Sequence, residues 1–443
     1  MTYIPLPFQA EAIQKMGQNT LLADECGLGK TITASAAFAL YAKGPILIVC
    51  PISAKLWWES VLAAMYPNLR IVVAGPGGNG LPVSIPKRGD VWIIHPEVLR
   101  CKSAFLLAAI SWDIICVDEA HRFKTRTAKQ TISLWKLPSR LRWALTATPY
   151  GRNPADMWAL LHWLYPKDYR SYWGFTNMYT SNYRPPGASY SIVKGARNLD
   201  QLAERISPFY IHRTKSEVSD ILPAFHANIP VEMTTPQAKL YRQAVYDHWI
   251  EVDGTEIVIE NALVECTRLQ QIAVDPMMLF PSFVPSVSAK RIWLDEWLDD
   301  HPDESVVITS RFRYPSLWMT GRNDIAIIMG GMKGNEVQEQ LKKFNTTGKL
   351  FGTIESIGET LNLQRARNMI VLDGAWSPIK MVQVVNRVHR IGTVGTVNIM
   401  YLQAVQPKTK KPTIDHIMRR RVTHELSEAE TLRELTNQYK EFV

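Results

Sequence analysis

Short apolar runs rich in β-branched residues recur along this chain, separated by segments of helical character. In the first half they lie near residues 45, 91, 113 and 142, with the sequences PILIVCP, VWIIHP, DIICVDEAH and RWALTATP. Such runs are typical of strands buried on both faces, and their alternation with helices is typical of a parallel sheet with crossover helices. Each run ends in polar or small residues. Because ligands of such sheets bind at the carboxyl ends of the strands, the pattern predicts an α/β fold with its site at these ends.

A second series of buried strands is predicted in the other half of the chain. The runs SVVITS, IAIIMGG, LFGTI, NMIVLDG and VNIMYL lie near residues 305, 325, 350, 368 and 397. The 443 residues also exceed the usual size of one domain. We therefore expect two α/β lobes, 1–225 and 226–443. A tyrosine-rich stretch without clean strands predicts a helical insertion at about 150–223, and we expect another at about 235–285 and a basic helical tail at the C-terminal end.

Composition narrows the class of protein only a little. The 50 lysines and arginines exceed the 41 acidic residues by nine, which suits a polyanionic partner and equally suits many ordinary basic proteins. The five cysteines are scattered without a C-x-x-C pair, as in a protein with reduced thiols inside the cell. Neither a signal peptide nor an apolar run of ~18 residues is evident. We expect an intracellular protein that does not enter a membrane.

The stretch LLADECGLGKT, residues 21–31, has the character of a phosphate-binding loop. Backbone N–H groups near Gly27 and Gly29, at the start of a helix, would form a concave site for an anion. Lys30 would contact the β- and γ-phosphates of a nucleotide, and the Thr31 hydroxyl would bind Mg²⁺. The usual pattern has a glycine where Asp24 stands here. Taken alone, the stretch also fits an ordinary glycine-rich turn between a strand and a helix.

Two adjacent carboxylates follow a buried strand about ninety residues beyond this loop, in the stretch IICVDEAH. Asp118 can hold Mg²⁺, directly or through water, while Glu119 can orient and deprotonate the attacking water. The same four residues DEAH could simply begin a helix. With the glycine and lysine loop upstream, nucleotide hydrolysis is the favoured interpretation.

Five separated motifs together carry a family resemblance. They are DECGLGKT, DEAH, LTATP (145–149), RLQQIAVDP (268–276) and QVVNRVHRIG (383–392). Their order and rough spacing resemble those of the Swi/Snf-like ATPases of helicase superfamily two, and the resemblance covers nearly the whole chain. It implies two RecA-like lobes, ATP and Mg²⁺ as cofactors, and a DNA-stimulated ATPase or DNA helicase of the DEAH-box type.

On the first lobe the resemblance implies roles for four further residues. Gln9 resembles the glutamine that binds adenine, although a single glutamine on an amphipathic helix is commonly solvated. His121 would link the neighbourhood of Glu119 to the LTATP segment. There Thr146 and Thr148 resemble the hydroxyls that couple the nucleotide site to DNA, although threonine is also ordinary at a strand end.

On the second lobe the resemblance points to arginine fingers. Arg387 and Arg390 would stabilise charge on the γ-phosphoryl group, an effect of roughly 10³ to 10⁵ in rate in related chemistry. Gln383 would couple the nucleotide site to DNA, and Gly358 and Glu359 would bind the nucleotide. The alternative is a solvated helix face.

The chain also departs from the family pattern at three positions. Ile357 and Thr360 stand where glycines are usual, and Thr393 stands where glutamine is usual. These changes bear on the coupling of hydrolysis to movement rather than on the nucleotide site itself.

Contacts with the phosphate backbone of nucleic acid are expected from polar residues that follow strands, although each could be an ordinary surface residue. The basic tail at 408–421 could also contact phosphates or could be solvated. The candidate residues are Ser53, Lys55, Lys124, Arg311, Arg313 and Thr353.

Within the resembling family, two segments look most like the branch of annealing helicases that remodel forks. They are LYPKDYRSYWGFTNMY and the stretch at 197–223. We expect a monomeric, ATP-dependent translocase that tracks along duplex DNA and remodels forked or branched DNA in replication, recombination or repair. No chromatin-reading module is recognised, so we expect a compact motor of bacterial or viral type, associated with the nucleoid. The alternatives are a DEAH-type RNA helicase and a non-catalytic DNA-binding scaffold derived from such a motor.

Overall fold

The computed structural model describes residues 4–423 except for short gaps. The chain divides into two compact units, Met1–Asp220 and Ile221–Val443, each built around its own parallel sheet. The predicted α/β class, with two parallel sheets flanked by helices, is thereby confirmed. The gaps are residues 76–77, 83–84, 150–153, 184–191, 219–222, 248, 253–254, 259–261, 281–287, 333, 359–360, 391 and 394.

The first unit contains a seven-stranded sheet in the order β3-β4-β2-β5-β6-β1-β9, and every neighbouring pair of strands is parallel. Two further strands, β7 and β8, form a separate antiparallel hairpin. The strands are β1 Thr20–Leu22, β2 Ile46–Val49, β3 Arg70–Val73, β4 Asp90–Ile94, β5 Trp112–Asp118, β6 Ser139–Leu145, β7 Thr180–Tyr183, β8 Ile192–Ala196 and β9 Tyr210–Ile211.

Helices cover both faces of this sheet, as the continuous apolar runs predict. Along β2, Ile46 and Ile48 face a cluster shared with α1, α2 and α3, while Leu47 and Val49 face a cluster shared with α4 to α8. Helix α9 follows β9. The helices are α1 Pro7–Lys15, α2 Lys30–Tyr41, α3 Lys55–Met65, α4 Ser103–Ala108, α5 Lys129–Trp135, α6 Trp158–Leu164, α7 Tyr172–Tyr179, α8 Leu199–Ile206 and α9 Lys215–Val218.

The second unit contains a six-stranded parallel sheet in the order β10-β17-β16-β13-β15-β14 and a separate hairpin, β11-β12. Its strands are β10 Phe225–Glu232, β11 Trp249–Val252, β12 Thr255–Val258, β13 Val306–Ser310, β14 Ile325–Ile328, β15 Lys349–Thr353, β16 Asn368–Val371 and β17 Asn398–Val405. Its helices are α10 Thr235–Asp247, α11 Ala262–Val274, α12 Ala289–Asp300, α13 Gly334–Thr347, α14 Ile354–Ile357, α15 Pro378–Val388 and α16 Ile414–Val422.

The segment 150–223, expected to contain only helices, also contains strands. Helices α6 to α9 lie there, but so do the hairpin β7-β8 and strand β9, which pairs beside β1 in the main sheet. Strand β9 has two residues and is too short to produce an apolar run. Strand β7, Thr180–Tyr183, has the sequence TSNY, which contains no apolar run. The segment 235–285 likewise combines α10 and α11 with the hairpin β11-β12.

The basic stretch 408–421 is largely a packed helix rather than a solvated tail. In α16, Ile414, Ile417 and Met418 are buried in a cluster with α10 and α11. The Arg421 guanidinium lies 5.1 Å from the Trp376 ring centroid, and its Nε donates to the Trp376 carbonyl at 2.9 Å.

Within the described part of the chain, no helix is long and apolar enough to cross a membrane.

Candidate nucleotide site and nucleic-acid contacts

The glycine-containing loop connects strand β1 to the N-terminus of helix α2. Gly27 and Gly29 both adopt positive φ, +92° and +76°, which favours glycine over residues with a side chain. At Gly29 a Cβ atom would also lie only 2.6 Å from the side-chain nitrogen of Gln9. The loop therefore needs its glycines, and it ends at a helix N-terminus, where backbone N–H groups and the helix dipole favour a phosphate.

Lys30 and Thr31, the first residues of α2, are both partly exposed. The Lys30 ammonium donates to the Asp24 carbonyl at 2.6 Å and to the Glu25 carbonyl at 3.3 Å. The lysine therefore reaches back over the loop that precedes it. This placement lets Lys30 and the loop N–H groups act on the same anion.

The departure at Asp24 has a structural explanation. Its side chain is fully buried and receives two hydrogen bonds from the Arg213 guanidinium, from Nε to Oδ1 at 2.9 Å and from Nη2 to Oδ2 at 2.5 Å. The next residue, Glu25, accepts from the backbone N–H of Lys215 at 2.8 Å. Sequence reasoning missed Arg213, because no local pattern connects residues that are 189 positions apart.

Asp118 ends strand β5, two strands away from β1 in the sheet order. Adjacent strands lie about 4.8 Å apart, so the ends of β1 and β5 are about 10 Å apart. The Asp118 carboxylate accepts from the indole N–H of Trp58 and from the backbone N–H of Glu119, both at 2.9 Å. Burial and the neighbouring Glu119 raise the pKa of Asp118 to about 6, whereas the charge of Lys30 acts in the opposite direction.

Glu119 has φ +48°, a left-handed conformation that is uncommon outside glycine. Such conformations are held in place by the surrounding structure and cluster at functional sites. Here the conformation separates the two adjacent side chains. Asp118 points toward Trp58, while Glu119 points toward His121.

The structure brings His121 and the threonines of the LTATP segment together. The Nδ1 atom of His121 lies 3.3 Å from the Glu119 carboxylate and 3.2 Å from the Thr146 hydroxyl. The same hydroxyl accepts from the backbone N–H of Thr148 at 3.1 Å. A continuous chain of polar contacts therefore runs from Glu119 to the end of β6.

Gln9 is buried, unlike a solvated glutamine on an amphipathic helix, and its amide is used within the protein. Its nitrogen donates to the Leu28 carbonyl at 3.0 Å, and its oxygen accepts from the Leu6 N–H at 2.9 Å. The side chain therefore connects α1 to the glycine-containing loop. Its proposed contact with adenine stays a prediction.

In the second unit, Gln383 and Arg387 lie one helical turn apart on α15, and both are partly exposed. The Arg387 Nε donates to the carbonyl of Gly358 at 3.0 Å, which joins two of the predicted site residues. Arg390 is partly exposed and follows the end of α15. Glu359 lies outside the described residues.

Two of the departures from the family pattern have local structural explanations. Ile357 is fully buried, and a Cβ atom at Gly352 would lie 2.3 Å from its side chain, so Gly352 makes room for it. The Thr393 hydroxyl accepts from the Arg390 N–H at 3.2 Å and donates to the Val388 carbonyl at 2.9 Å. The Thr393 hydroxyl is therefore bonded both to Arg390 and to Val388, the last residue of α15. Thr360 lies outside the described residues.

Of the six candidate phosphate contacts, two have side chains committed to the interior. Lys55 is buried and donates to the Ala74 carbonyl at 2.5 Å, and burial lowers its pKa. Thr353 is buried and caps helix α14 by accepting from the Ser356 N–H at 3.3 Å. Both differ from the surface position expected of a DNA contact. The apolar stem of a lysine can be buried when its ammonium reaches a polar partner, and for Lys55 that partner is the Ala74 carbonyl.

The other four candidates reach the surface to different degrees. Lys124 is exposed and lies 3.6 Å from the Asp156 carboxylate, and Ser53 is partly exposed in the turn after β2. Arg313 is exposed and donates to the Gly330 carbonyl. Arg311 is partly exposed and donates to the Gln270 side chain at 2.8 Å.

Comparison with known families decides the identity of the fold. The model of the SNF2-related domain matches residues 7–278, more than half of the chain. The chain belongs to the SNF2-related family. The helicase conserved C-terminal domain matches residues 289–392 of this SNF2-related chain. The predicted resemblance to Swi/Snf-like ATPases of helicase superfamily two is thereby confirmed.

Curated relatives of this SNF2-related chain include eukaryotic and bacterial proteins. A CHD3-type chromatin-remodeling factor of Arabidopsis thaliana is 25% identical over 410 residues, covering 83% of this chain and 32% of the relative. A putative ATP-dependent helicase/translocase of Bacillus subtilis is 25% identical over 406 residues, covering 85% of this chain and 43% of the relative. The chain thus spans less than half the length of these two relatives.

A solved structure of the Sulfolobus solfataricus SWI2/SNF2 ATPase core in complex with dsDNA is also similar to this SNF2-related chain. It is 25% identical, with a TM-score of 0.46, and the match covers 91% of this chain and 89% of that one.

Proposed function

We propose that this chain is an ATP-dependent motor that hydrolyses ATP and moves along the phosphate backbone of duplex DNA inside the cell. One observation carries the proposal. A lysine-bearing loop at a helix N-terminus and two carboxylates at a strand end occupy one sheet, and the second carboxylate is linked through His121 to Thr146. Membership in the SNF2-related family supports the same reading.

The residues of the first unit suit MgATP. Within the described residues no group of three or more His, Cys, Asp or Glu side chains could hold a metal ion. Mg²⁺ in nucleotide sites needs only one or two protein oxygens, because waters and phosphates supply the rest, and Asp118 and Thr31 offer these oxygens. When bound, Mg²⁺ neutralises charge that develops on the phosphates. Lys30 and the loop N–H groups bind the phosphates, and Glu119 orients and deprotonates the attacking water.

Closure of the second unit on the nucleotide is the proposed source of movement. Arg387 and Arg390 act as arginine fingers on the γ-phosphoryl group, and hydrolysis releases them, so the two units alternate between two states. Each unit contacts the DNA backbone, with Lys124, Arg311 and Arg313 as the cationic contacts. One cycle then advances one unit along the duplex.

Forked and branched DNA are the proposed preferred substrates, in replication, recombination or repair. The test is ATP turnover by the purified protein with duplex DNA, a fork, a four-way junction, single-stranded DNA and RNA at equal nucleotide concentration. We expect duplex-containing DNA to raise turnover most, with the fork or junction above a linear duplex. Stimulation by RNA alone would reject the DNA motor in favour of an RNA helicase. No turnover with any of them would favour a non-catalytic scaffold.

Arg390→Ala is expected to slow ATP hydrolysis by roughly 10³-fold or more, with little loss of ATP affinity, because a finger stabilises charge that develops only in the transition state. Turnover and nucleotide binding are measured separately on the same preparation. Arg322→Ala is the matched control, since Arg322 belongs to the same unit but its guanidinium forms ion pairs with Asp295 and Asp299 and has no proposed role at the nucleotide. An undiminished rate in Arg390→Ala would remove it from the finger role.

Binding to duplex DNA is expected to weaken steeply as salt is added, because lysines and arginines that contact phosphates release counterions. Three cationic contacts, Lys124, Arg311 and Arg313, give a slope of log affinity against log salt of roughly −2.7 or steeper. Fluorescence anisotropy of a labelled duplex over a salt series measures this slope. A flat response would contradict tracking along the backbone.

A further inference from the structure

Arg213, just after strand β9, is the partner of the buried Asp24 that begins the glycine-containing loop. Its guanidinium binds both carboxylate oxygens, at 2.9 and 2.5 Å. The Asp24 side chain is fully buried, and that of Arg213 is 14% exposed. A planar guanidinium that binds a carboxylate with two parallel hydrogen bonds holds it in one orientation, which a lysine cannot do.

The same guanidinium also holds the segment of helix α1 that precedes Gln9. Its third nitrogen, Nη1, donates to the Phe8 carbonyl, and its central carbon lies 5.0 Å from the centroid of the Phe8 ring. Gln9 in turn donates to the Leu28 carbonyl within the loop. One arginine therefore joins the loop at its start to the helix that packs against its end.

Backbone hydrogen bonds align the loop with the same segment. The N–H of Ala23 donates to the Ile211 carbonyl at 2.7 Å, and the N–H of Glu25 donates to the Arg213 carbonyl at 2.9 Å. Between them lies Asp24, whose own carbonyl accepts from the Lys30 ammonium at 2.6 Å. Together with the Glu25 carbonyl, which accepts at 3.3 Å, the Asp24 carbonyl therefore holds the Lys30 ammonium in place.

We infer that Arg213 is a positioning residue of the nucleotide site, an inference that rests on the proposed function. It fixes the Asp24 peptide and, through it, the position of Lys30. It also neutralises the buried carboxylate of Asp24, the residue whose carbonyl accepts from Lys30, so that the Lys30 charge stays available for phosphate. A buried carboxylate that lost its partner would seek another cation or take up a proton.

The test is direct binding of ADP that carries an N-methylanthraniloyl fluorophore on its ribose, measured for the full chain and its variants. Arg213→Ala is expected to weaken binding by at least about tenfold, because a displaced Lys30 ammonium loses its charge-assisted hydrogen bonds to the phosphates. Arg213→Lys restores the charge without the two-point contact and is expected to bind with intermediate affinity. The double variant Asp24→Asn/Arg213→Ala is expected to bind ADP no more weakly than the weaker-binding of the two single variants, Asp24→Asn and Arg213→Ala. The reason is that both substitutions remove the same contact.

Arg140→Ala is the matched control. Arg140 pairs with the buried Asp113 at 2.5 Å in the same unit, but Asp113 contacts the backbone of Lys43 and Gly44 rather than the loop. We expect Arg140→Ala to lower the thermal midpoint without changing ADP affinity. A merely structural role for Arg213 would produce the same result, with a lower midpoint and unchanged affinity, and would overturn the inference. If Arg213→Ala does not fold, wild-type affinity in Arg213→Lys would overturn it equally.

Failure of this inference and failure of the proposed motor give different results. A wild-type chain that binds the fluorescent ADP but hydrolyses no ATP refutes the motor, and the comparison of Arg213 variants still decides the positioning role. If the wild-type chain hydrolyses ATP and both Arg213 variants bind ADP with wild-type affinity, only the positioning role is refuted.

Discussion

Replacing Glu119 with glutamine is expected to lower the turnover of ATP by about 10² to 10⁴-fold, the usual contribution of a general base. Glutamine has nearly the same shape, so it can keep the φ +48° backbone and lie beside His121, but it cannot accept the proton of the attacking water. ATP affinity and DNA binding should remain close to wild type. Turnover is measured with saturating duplex DNA, and affinity by binding of a labelled nucleotide.

Glu204→Gln serves as the control for this substitution, because Glu204 is an exposed glutamate on α8 of the same unit. It should turn over ATP at the wild-type rate. Unchanged turnover in Glu119→Gln would reject Glu119 as the base and leave the carboxylate pair without its proposed role.

Lys30→Ala is expected to reduce turnover to background and to weaken nucleotide binding as well, which distinguishes it from Glu119→Gln. The ammonium lies at the start of α2 against the Asp24 and Glu25 carbonyls, where it can interact with the phosphates in both the ground and transition states. DNA binding without nucleotide should be largely unaffected. Single-turnover hydrolysis and nucleotide affinity are the measurements.

Lys136→Ala provides the matched control, since Lys136 is an exposed lysine next to α5 in the same unit. It should behave as wild type in both measurements. Full activity in Lys30→Ala would mean that the glycine-containing loop is an ordinary turn between a strand and a helix.

The buried strands could be predicted from sequence because burial on both faces produces continuous apolar runs. Strand β2, with all four residues buried, is such a case. Strand β9 could not be predicted, because it has only two residues and joins the sheet through backbone pairing with β1. The positions of Lys30 and Asp118 follow from motifs that lie within a few residues of a strand end. Motifs of this kind are local, so they can be recognised from the sequence alone.

Contacts between distant segments were not predictable in the same way. Arg213 reaches Asp24 across 189 positions, and nothing in either local stretch indicates the pair. The burial of Lys55 depends on a carbonyl nineteen residues away, at Ala74. Ile357 is tolerated in place of glycine because Gly352, on the preceding strand, leaves room for it. Each of these outcomes depends on packing partners that only the folded chain brings together.

Displacement of a third strand from a triplex formed on duplex DNA tests the central claim most directly, since only movement along the duplex removes that strand. With ATP, the wild-type protein is expected to release the third strand. The time before release should increase as the duplex that leads to the triplex is lengthened. Glu119→Gln should release none while still binding the duplex. Hydrolysis of ATP by the wild-type protein without any release of the third strand would contradict the account of this chain as a motor.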